Sequence, residues 1–264
     1  MSEMVVRVAE RYKGVRAGTF PAIKGFIETS LIDWDSYISA VIFLGGCNFA
    51  CPFCHNHELL TGTGPTIPFE SIGDMLLAQK GWVDGVVVTG GEPTSNVGIV
   101  DLLEHLKSLG LIVKLDTNGS NPEIVQELVA AGLVDYIAMD IKAGLSREPV
   151  DSAGARKYDI AAGRSVDIDA VEESIEFLLS GEVDYEFRTT LVPTVIGRSD
   201  VKNIARRIAG ANRYFLQPFE PAHARSPLLR KVHPYAPTEM NEMLASARKY
   251  VPHASIRGKM KSSG

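Results

Sequence analysis

Short runs of apolar, β-branched residues alternate along the chain with segments in which apolar residues recur every three or four positions. The apolar runs predict buried strands over residues 40–46, 85–91, 114–119, 136–142, 185–193 and 213–219. In the segments between these runs, apolar residues every three or four positions predict amphipathic helices over residues 69–80, 97–110, 122–133, 169–181 and 199–210. Asp169, followed by Glu172 three positions later, is predicted to be the N-cap of the fourth helix.

This alternation predicts an α/β fold in which helices cover a parallel sheet. About six strand–helix units are visible, fewer than the eight that close a standard barrel, so we expect a partial (β/α)6 barrel with a curved parallel sheet. The predicted organisation is a short N-terminal extension (1–24), a core (25–220) and a C-terminal helical appendage (221–264). The polar segment 144–167 is predicted to be a long loop, a type of segment that often forms a functional lid.

Composition places the chain among globular proteins, with 45% apolar and 22% charged residues. The net charge of -5, from 27 basic and 32 acidic residues, argues against a protein that coats nucleic acid. No apolar run is long enough to span a bilayer. Because the first residues lack the apolar region of a signal peptide, we expect a cytoplasmic protein without a membrane partner.

The candidate chemistry begins with the cysteines. All three, Cys47, Cys51 and Cys54, lie within eight positions directly after the first predicted strand. An odd number of thiols packed so closely does not suit a secreted disulfide framework and favours a soft metal centre. Two centres fit the spacing: zinc with His55 or His57 as the fourth ligand, or an iron–sulfur cube with one iron left open to chelate a small molecule.

Polar or glycine-rich clusters also follow the later strands, where parallel α/β folds collect their chemistry. In the segment TGGEPT two glycines allow the backbone to approach a ligand closely. Glu92 in the same segment is predicted to present a carboxylate to a cationic group such as an ammonium. Charged residues end the third and fourth strands: Asp116, Asp140 and Lys142. Arg188 lies inside the fifth strand, and because an unpaired buried charge is costly, we expect it to point into the barrel mouth.

Together these motifs resemble the radical S-adenosylmethionine (SAM) superfamily. The resemblance rests on a C-x3-C-x-F-C loop after the first strand and GGEP after the second. Residues 26–56 also resemble the opening of glycyl-radical-enzyme activases, and KLDTNG, AMDIK and FRTTLVP are similar to later blocks of that group, in the same order. Within this group the chain most resembles the activating component of anaerobic ribonucleotide reductase, and pyruvate formate-lyase activase is a close sibling.

The resemblance implies an oxidoreductase in which Cys47, Cys51 and Cys54 hold a [4Fe–4S] cluster, whose open iron is chelated by SAM. An electron from the cluster would cleave the sulfonium and yield a 5′-deoxyadenosyl radical. In an activase this radical removes a Cα hydrogen from a glycine of a partner enzyme, here predicted to be anaerobic ribonucleotide reductase. A flavodoxin- or ferredoxin-like donor would supply the electron, and no nucleic-acid partner is expected.

The resemblance also implies which residues contact the cofactor. Phe53 and His55 flank the last cysteine near the adenine, and the motif of Gly90, Gly91 and Glu92 would meet the methionine amino group. The further implied contacts are Asp116, Asp140, Lys142, Arg188 and Gln217. A cage for a monovalent cation is implied at Asp116, Thr117 and Asp140. Glu220 stands where the sibling group often has histidine, a departure that leaves its role open.

Two other interpretations remain open from the sequence. The same radical machinery could act on a small metabolite or a modified base, since no motif outside the shared blocks identifies the substrate. Alternatively, the chain could be a zinc-binding interaction module, although such a module needs none of the strand-end clusters. We interpret the C-terminal segment with Arg225, Arg230 and Lys231 as a solvated face that caps the barrel, in preference to a docking surface for the partner.

Overall fold

The computed structural model describes residues 20–150, 152 and 154–258. Its strands form one eight-stranded sheet. Most of the predicted N-terminal extension (1–24) and the last six residues of the predicted appendage therefore lie outside the described residues. The strands are β1 (Ile23–Ser30), β2 (Ser39–Leu44), β3 (Gly85–Gly90), β4 (Ile112–Thr117), β5 (Tyr136–Asp140), β6 (Asp184–Leu191), β7 (Tyr214–Pro218) and β8 (Ser255–Ile256).

The strand order confirms the predicted α/β fold. Strands β2 to β7 are the six predicted ones, and each pairs in parallel with the next along the chain. Sequence analysis missed β1, which pairs antiparallel with β2, and the two-residue strand β8, which pairs in parallel with β7. Strand β1 has one largely solvent-facing half and so lacks a continuous apolar run, and β8 is too short to show a period. Within the described residues β1 and β8 do not pair, so the barrel stays open.

Helices connect the parallel strands and cover one face of the sheet. The described residues form α1 (Phe69–Ala78), α2 (Ile99–Ser108), α3 (Pro122–Ala130), α4 (Lys157–Ala162), α5 (Ile168–Ser180), α6 (Arg198–Arg207) and α7 (Pro237–Ala247). The predicted N-cap at Asp169 is wrong: the helix begins two residues earlier, where Asp167 accepts the backbone N–H groups of Asp169 and Ala170 at 3.0 and 3.4 Å. None of the described helices combines the length and apolarity that crossing a bilayer requires.

The C-terminal part of the chain packs on the core. Helix α7 lies against α6, and β8 extends the same sheet. Arg257, one residue beyond β8, reaches Glu186 of β6 through Nη1 at 2.5 Å and Asp35 through Nη2 at 2.6 Å. The division of the chain at residues 24 and 220 stays a prediction.

The two faces of the sheet differ sharply in chemistry because side chains alternate along each strand. On β4, Val113 and Leu115 join the main hydrophobic core, whereas the intervening Lys114 faces the other way and is only 1% exposed. Lys114 lies 3.7 Å from Glu186 of β6, which is 2% exposed. The interior of the open barrel is therefore lined by charged side chains, and buried charges of this kind persist in proteins when they are paired.

These charges form one continuous series, which we call the interior ion-pair chain. Its members alternate in sign in the order Lys142, Asp140, Arg188, Asp116, Lys114, Glu186, Arg257 and Asp35. Neighbouring charged atoms along the chain lie 2.5–3.9 Å apart. The series joins β4, β5 and β6 to the segment after β8, so it links the C-terminal part of the protein to the carboxyl ends of the central strands.

Replacement of Lys114 by methionine tests how much the interior ion-pair chain contributes to stability. The change leaves the carbonyl of Asp33, which accepts from Lys114 at 2.5 Å, without its donor, and it removes a buried cation next to Glu186. We expect Lys114→Met to lower the free energy of unfolding by about 3–5 kcal/mol, measured by anaerobic urea denaturation. The matched control is Lys107→Met, which removes a partly exposed pair with Asp135 and should cost about 1 kcal/mol at most. Equal losses in the two variants would contradict a special role for the buried pairs.

Candidate active site

A cavity of about 260 Å³ lies at the carboxyl ends of the parallel strands. All the residues implied as cluster ligands or SAM contacts line it: Cys47, Cys51, Cys54, Phe53, His55, Gly90, Gly91, Glu92, Asp116, Asp140, Lys142, Arg188 and Gln217. His57, the alternative zinc ligand, does not line it. These side chains come from the loop after β2 and from the ends of five further strands. The fold thus brings the predicted set together in one place, while the role of each residue toward a cofactor stays a prediction.

The loop that carries the cysteines is held on one side by the turn after β3. The N–H of Glu92 donates to the carbonyl of Gly46 at 2.9 Å. A Cβ at Gly91 would lie 1.9 Å from that same carbonyl oxygen, so only glycine permits this approach. The GGEP turn therefore fixes the start of the cysteine loop as well as lining the cavity.

On its other side the cysteine loop is supported by a helix that the sequence analysis missed. Within the segment predicted as a long polar loop, 144–167, α4 buries Tyr158 and presents the carbonyl of Ala162, which accepts the N–H of Ala50 at 2.8 Å. Gly163 follows with a φ of +71°, and a Cβ there would lie 2.1 Å from the carbonyl oxygen of Ala50. A glycine stop after a short apolar segment was the signal that could have revealed this helix.

The three thiols lie in an environment that disfavours their charged form. Burial raises the pKa of Cys47 to about 12 and that of Cys51 to about 11, and it also raises the pKa of Cys54. Phe49 and Phe53, both buried, line the same cavity. Thiolates in such a site gain their stability from a bound metal centre, which displaces the protons on binding.

The donor geometry separates the two metal centres that the spacing allowed. Within the described residues no three His, Cys, Asp or Glu side chains converge closely enough to hold one metal ion. A Cys3His zinc site needs four donors about 2.0–2.3 Å from a single point, so the arrangement does not form one. His55 instead bonds to the backbone of Glu220, and burial lowers its pKa. An iron–sulfur cube places no such demand, because each thiolate binds a different iron.

The Glu92 carboxylate accepts four hydrogen bonds within the protein, three on Oε1 and one on Oε2. Its Oε1 accepts from the N–H and hydroxyl of Thr94 at 3.2 and 2.6 Å and from the Thr117 hydroxyl at 2.7 Å, and its Oε2 accepts from the N–H of Asn118 at 2.7 Å. The side chain is only 1% exposed, and burial raises its pKa. Through these hydrogen bonds Glu92 joins the turn after β3 to the end of β4 and the loop that follows it. Its contact with a cofactor ammonium stays a prediction.

Arg188 points into the cavity, as the cost of burying an unpaired charge predicted. Its Nε donates to Asp140 at 3.0 Å and its Nη1 donates to Asp116 at 3.1 Å. Burial opposes the ionisation of Asp140, but the cations of Arg188 and Lys142 outweigh it and hold the pKa of Asp140 at about 2. Burial likewise opposes the charge on Lys142, and the negative charge of Asp140 outweighs it, so the pKa of Lys142 is raised.

One oxygen at the centre of this group has no partner. The Oδ1 of Asp116 is buried and accepts no hydrogen bond from the described residues, and the nearest cation, Lys114, is 3.9 Å away. Such an atom fits a site in which a bound group supplies the missing donor. The cage for a monovalent cation implied at Asp116, Thr117 and Asp140 stays a prediction; in this structure Asp140 binds Arg188 and Lys142, and the Thr117 hydroxyl donates to Glu92.

Several cavity residues were not predicted from the sequence. They are Phe49, Asn56, Leu60, Thr89, Thr117, Asn118, Thr190 and Pro218, of which only Thr117 had been named, as part of the cation cage. Thr190 follows Arg188 by two positions on β6, so strand alternation was a signal for it. Asn118 and Asn56 lie on irregular loops, where no period exists. Glu220 does not line the cavity.

The chain matches the family model described as the Radical SAM superfamily over residues 41–208. It is 32% identical over 243 residues to a protein of Methanocaldococcus jannaschii named as a glycyl-radical enzyme activating enzyme, with 89% of this chain and 95% of the relative covered. It is also 30% identical to the pyruvate formate-lyase-activating enzyme of Listeria monocytogenes over 116 residues, covering 40% of this chain and 47% of that one. The 7-carboxy-7-deazaguanine synthase of Neisseria meningitidis is 34% identical over 112 residues, 42% of this chain and 47% of that one.

Solved structures share the fold at low sequence identity. SuiB of Streptococcus suis, bound to its precursor peptide SuiA, has a TM-score of 0.61 at 14% identity over 96% of this chain, which spans 52% of SuiB. TYW1 with a lysine–pyruvate adduct has a TM-score of 0.58 at 11% identity over 95% of this chain and 90% of its own. The family match covers well over half of the chain, and the cavity fits the cofactors that the family uses. The protein therefore belongs to the radical SAM superfamily, which employs a [4Fe–4S] cluster and SAM, and Cys47, Cys51 and Cys54 fit the cluster ligands.

Proposed function

We propose that this protein activates a glycyl radical enzyme in the cytoplasm, and that its partner is anaerobic ribonucleotide reductase. The observation that carries the proposal is the nearly full-length match to the M. jannaschii relative, which leaves little of either chain unaligned. The absence of a fourth cysteine supports it, since radical enzymes that insert sulfur usually need additional clusters. A flavodoxin- or ferredoxin-like protein is the proposed electron donor.

The residues of this chain would bind, orient and shield the cofactors. When bound, the cluster and SAM supply an organic radical through one-electron cleavage of the sulfonium. Cys47, Cys51 and Cys54 hold the cluster, and the buried rings of Phe49 and Phe53 keep water away from it. No protein base is required for hydrogen abstraction by a carbon radical.

The polar wall of the cavity would position SAM. Arg188 keeps Asp140 ionised and holds both Asp116 and Asp140 in place, and the Oδ1 of Asp116, which accepts no hydrogen bond from the described residues, is available to a donor on the bound nucleoside or amino acid. The carbonyls of Gly90 and Gly91 supply further acceptors near the methionine amino group, because the Glu92 side chain is engaged elsewhere. Phe53, His55, Lys142 and Gln217 complete the proposed contacts.

Action on a small metabolite or modified base is the second candidate. The specific observation in its favour is the match to 7-carboxy-7-deazaguanine synthase, but this match covers less than half of either chain. The glycyl-radical activase match covers nearly all of both chains, so we favour the protein substrate.

The decisive experiment looks for a radical on the partner enzyme. The reconstituted protein, SAM and a one-electron reductant are mixed anaerobically with anaerobic ribonucleotide reductase, and electron paramagnetic resonance is recorded. We expect an organic radical signal split by the single remaining α hydrogen, and we expect none when the target glycine of the reductase is replaced by alanine. Formation of 5′-deoxyadenosine without any radical on the reductase would contradict the proposed partner.

Single replacement of each cysteine by alanine tests cluster ligation. We expect Cys47→Ala, Cys51→Ala and Cys54→Ala each to lose most of the iron, sulfide and brown visible absorbance after anaerobic reconstitution, together with reductive SAM cleavage. His57→Ala is the matched control and should retain both iron and absorbance. A loss of bound metal in the histidine variant equal to that in the cysteine variants would instead indicate a mixed Cys–His site.

Arg188→Lys tests the proposed orientation of SAM. A lysine has a single nitrogen in place of the rigidly spaced Nε and Nη1 with which the guanidinium reaches Asp140 and Asp116, so it cannot hold the two carboxylates in the same geometry. We expect SAM to bind at least about tenfold more weakly, or ~1.4 kcal/mol, by calorimetry on the cluster-loaded protein, with iron content unchanged. Arg213→Lys, which alters a pairing with the Tyr136 hydroxyl outside the cavity, should bind SAM normally. Unchanged affinity in Arg188→Lys would remove the proposed role.

A further inference from the structure

A basic surface adjoins the cysteine loop on the outside of the cavity. We define the basic patch as Arg164, Arg225, Arg230 and Lys231, all of which are exposed. Residues 221–236 contain two arginines, one lysine and two histidines and no carboxylate, in a chain whose net charge is -5. The patch is therefore a local excess of positive charge on an acidic protein. The carboxylates that flank this segment in sequence are Glu220 and Glu239.

The basic patch is attached directly to the loop that carries the cluster ligands. The Nη1 of Arg225 donates to the carbonyl of Ala50 at 2.5 Å, and the N–H of Ser226 donates to the carbonyl of Pro52 at 2.7 Å. Arg164 follows Gly163, whose Cα packs against the same Ala50 carbonyl from the other side. Arg164 and Arg225 thus lie directly beside the segment between Cys47 and Cys54, and Arg230 and Lys231 follow Ser226 by four and five residues.

The charges of the basic patch are not neutralised within the described residues, although Arg225 and Arg230 also donate to the backbone carbonyls of Ala50 and Ala224. The described residues supply no ion pair for any of the four, and the side chains of Arg164 and Lys231 make no hydrogen bond with the described residues. At the centre of the patch Leu228 is 77% exposed, while its neighbour Leu229 is buried and anchors the segment. Unpaired charge around an exposed apolar side chain is typical of a surface that a partner covers transiently.

The chemistry of the family requires an electron from outside the protein. The thiols are mostly buried, and the basic patch is an exposed surface that contacts their loop. Redox partners form small, transient interfaces and are guided by complementary charge. We propose that the basic patch is the docking surface for an acidic protein that carries one electron, of the flavodoxin or ferredoxin class.

In this step the reduced carrier would lose one electron and the cluster would gain that electron. No covalent bond forms or breaks. The inference rests on the electron carrier of the proposed function and does not involve the glycyl partner. It also replaces the interpretation of residues 221–236 as a merely solvated face.

The test compares two charge-reversed proteins with intact clusters. Arg164→Glu/Lys231→Glu changes two patch residues whose side chains have no described contact, so folding should be preserved. The matched control, Lys202→Glu/Arg206→Glu, reverses one lysine and one arginine that are exposed on α6. Stopped-flow bleaching of the cluster absorbance is followed with reduced flavodoxin, with reduced ferredoxin and with dithionite.

We expect the patch variant to be reduced at least about tenfold more slowly than the control by one of the protein carriers at low ionic strength, and at the same rate by dithionite. For the wild-type protein this rate should fall as salt is added, and the patch variant should show a weaker salt dependence.

Equal rates for patch variant and control with both carriers would overturn the proposal. It would also be overturned if the patch variant were reduced normally but failed to install the partner radical, since the patch would then bind the glycyl enzyme. Because reduction is measured without that enzyme, a wrong glycyl partner leaves the test unaffected.

Discussion

The pairing of Arg188 with Asp116 and Asp140 is the interaction on which the arrangement of the active site depends. It connects the carboxyl ends of β4, β5 and β6 in a place where none of the three charges could remain alone, because each is largely removed from water. Asp140 also pairs with Lys142 at the cavity, and Asp116 also pairs with Lys114. An open barrel of parallel strands would ordinarily be filled with apolar side chains. Here the filling is an alternating series of charges, which specifies where each strand end must lie.

The cysteine loop is the second element that requires rigidity, and it has little regular structure of its own. It is held from three directions: by the GGEP turn, by the end of α4 and by the segment around Ser226. Two of these contacts are so close that only glycine is tolerated, at Gly91 and Gly163. A loop fixed by its neighbours in this way keeps three thiols in place for a cluster even though their burial makes free thiolates unfavourable.

Similarity to known proteins and the geometry of the site account for different features of this protein. Family membership accounts for the three thiols and the strand-end cavity, and the nearly full-length relative accounts for the choice of a protein substrate in the proposal. The geometry adds what similarity does not contain: the hydrogen bonds that the Glu92 carboxylate makes within the protein, the oxygen of Asp116 that accepts no hydrogen bond from the described residues, and the basic patch, of which Arg225, Arg230 and Lys231 lie beyond the residues that the family model matches. That patch places proposed electron entry on the outer side of the same loop whose inner side faces the cavity.

The sequence by itself determined the α/β class, the six parallel strands, the cysteine loop and the strand ends at which the cavity lies, and its family resemblance implied most of the residues that line that cavity. These features follow from local patterns, because apolar runs and spacings such as C-x3-C-x2-C are properties of neighbouring residues. Tertiary structure alone decided which groups pair with which. Lys114 and Glu186 are 72 positions apart in sequence, and nothing local indicates that they meet inside the barrel. The sequence predicted that Glu92 contacts a cofactor, which stays a prediction, but it did not indicate that Glu92 also accepts hydrogen bonds from Thr117 at the end of β4 and from Asn118 after it. Helix α4 and strands β1 and β8 escaped detection because they are stabilised by packing and edge pairing, which depend on distant parts of the chain and leave only weak local signals.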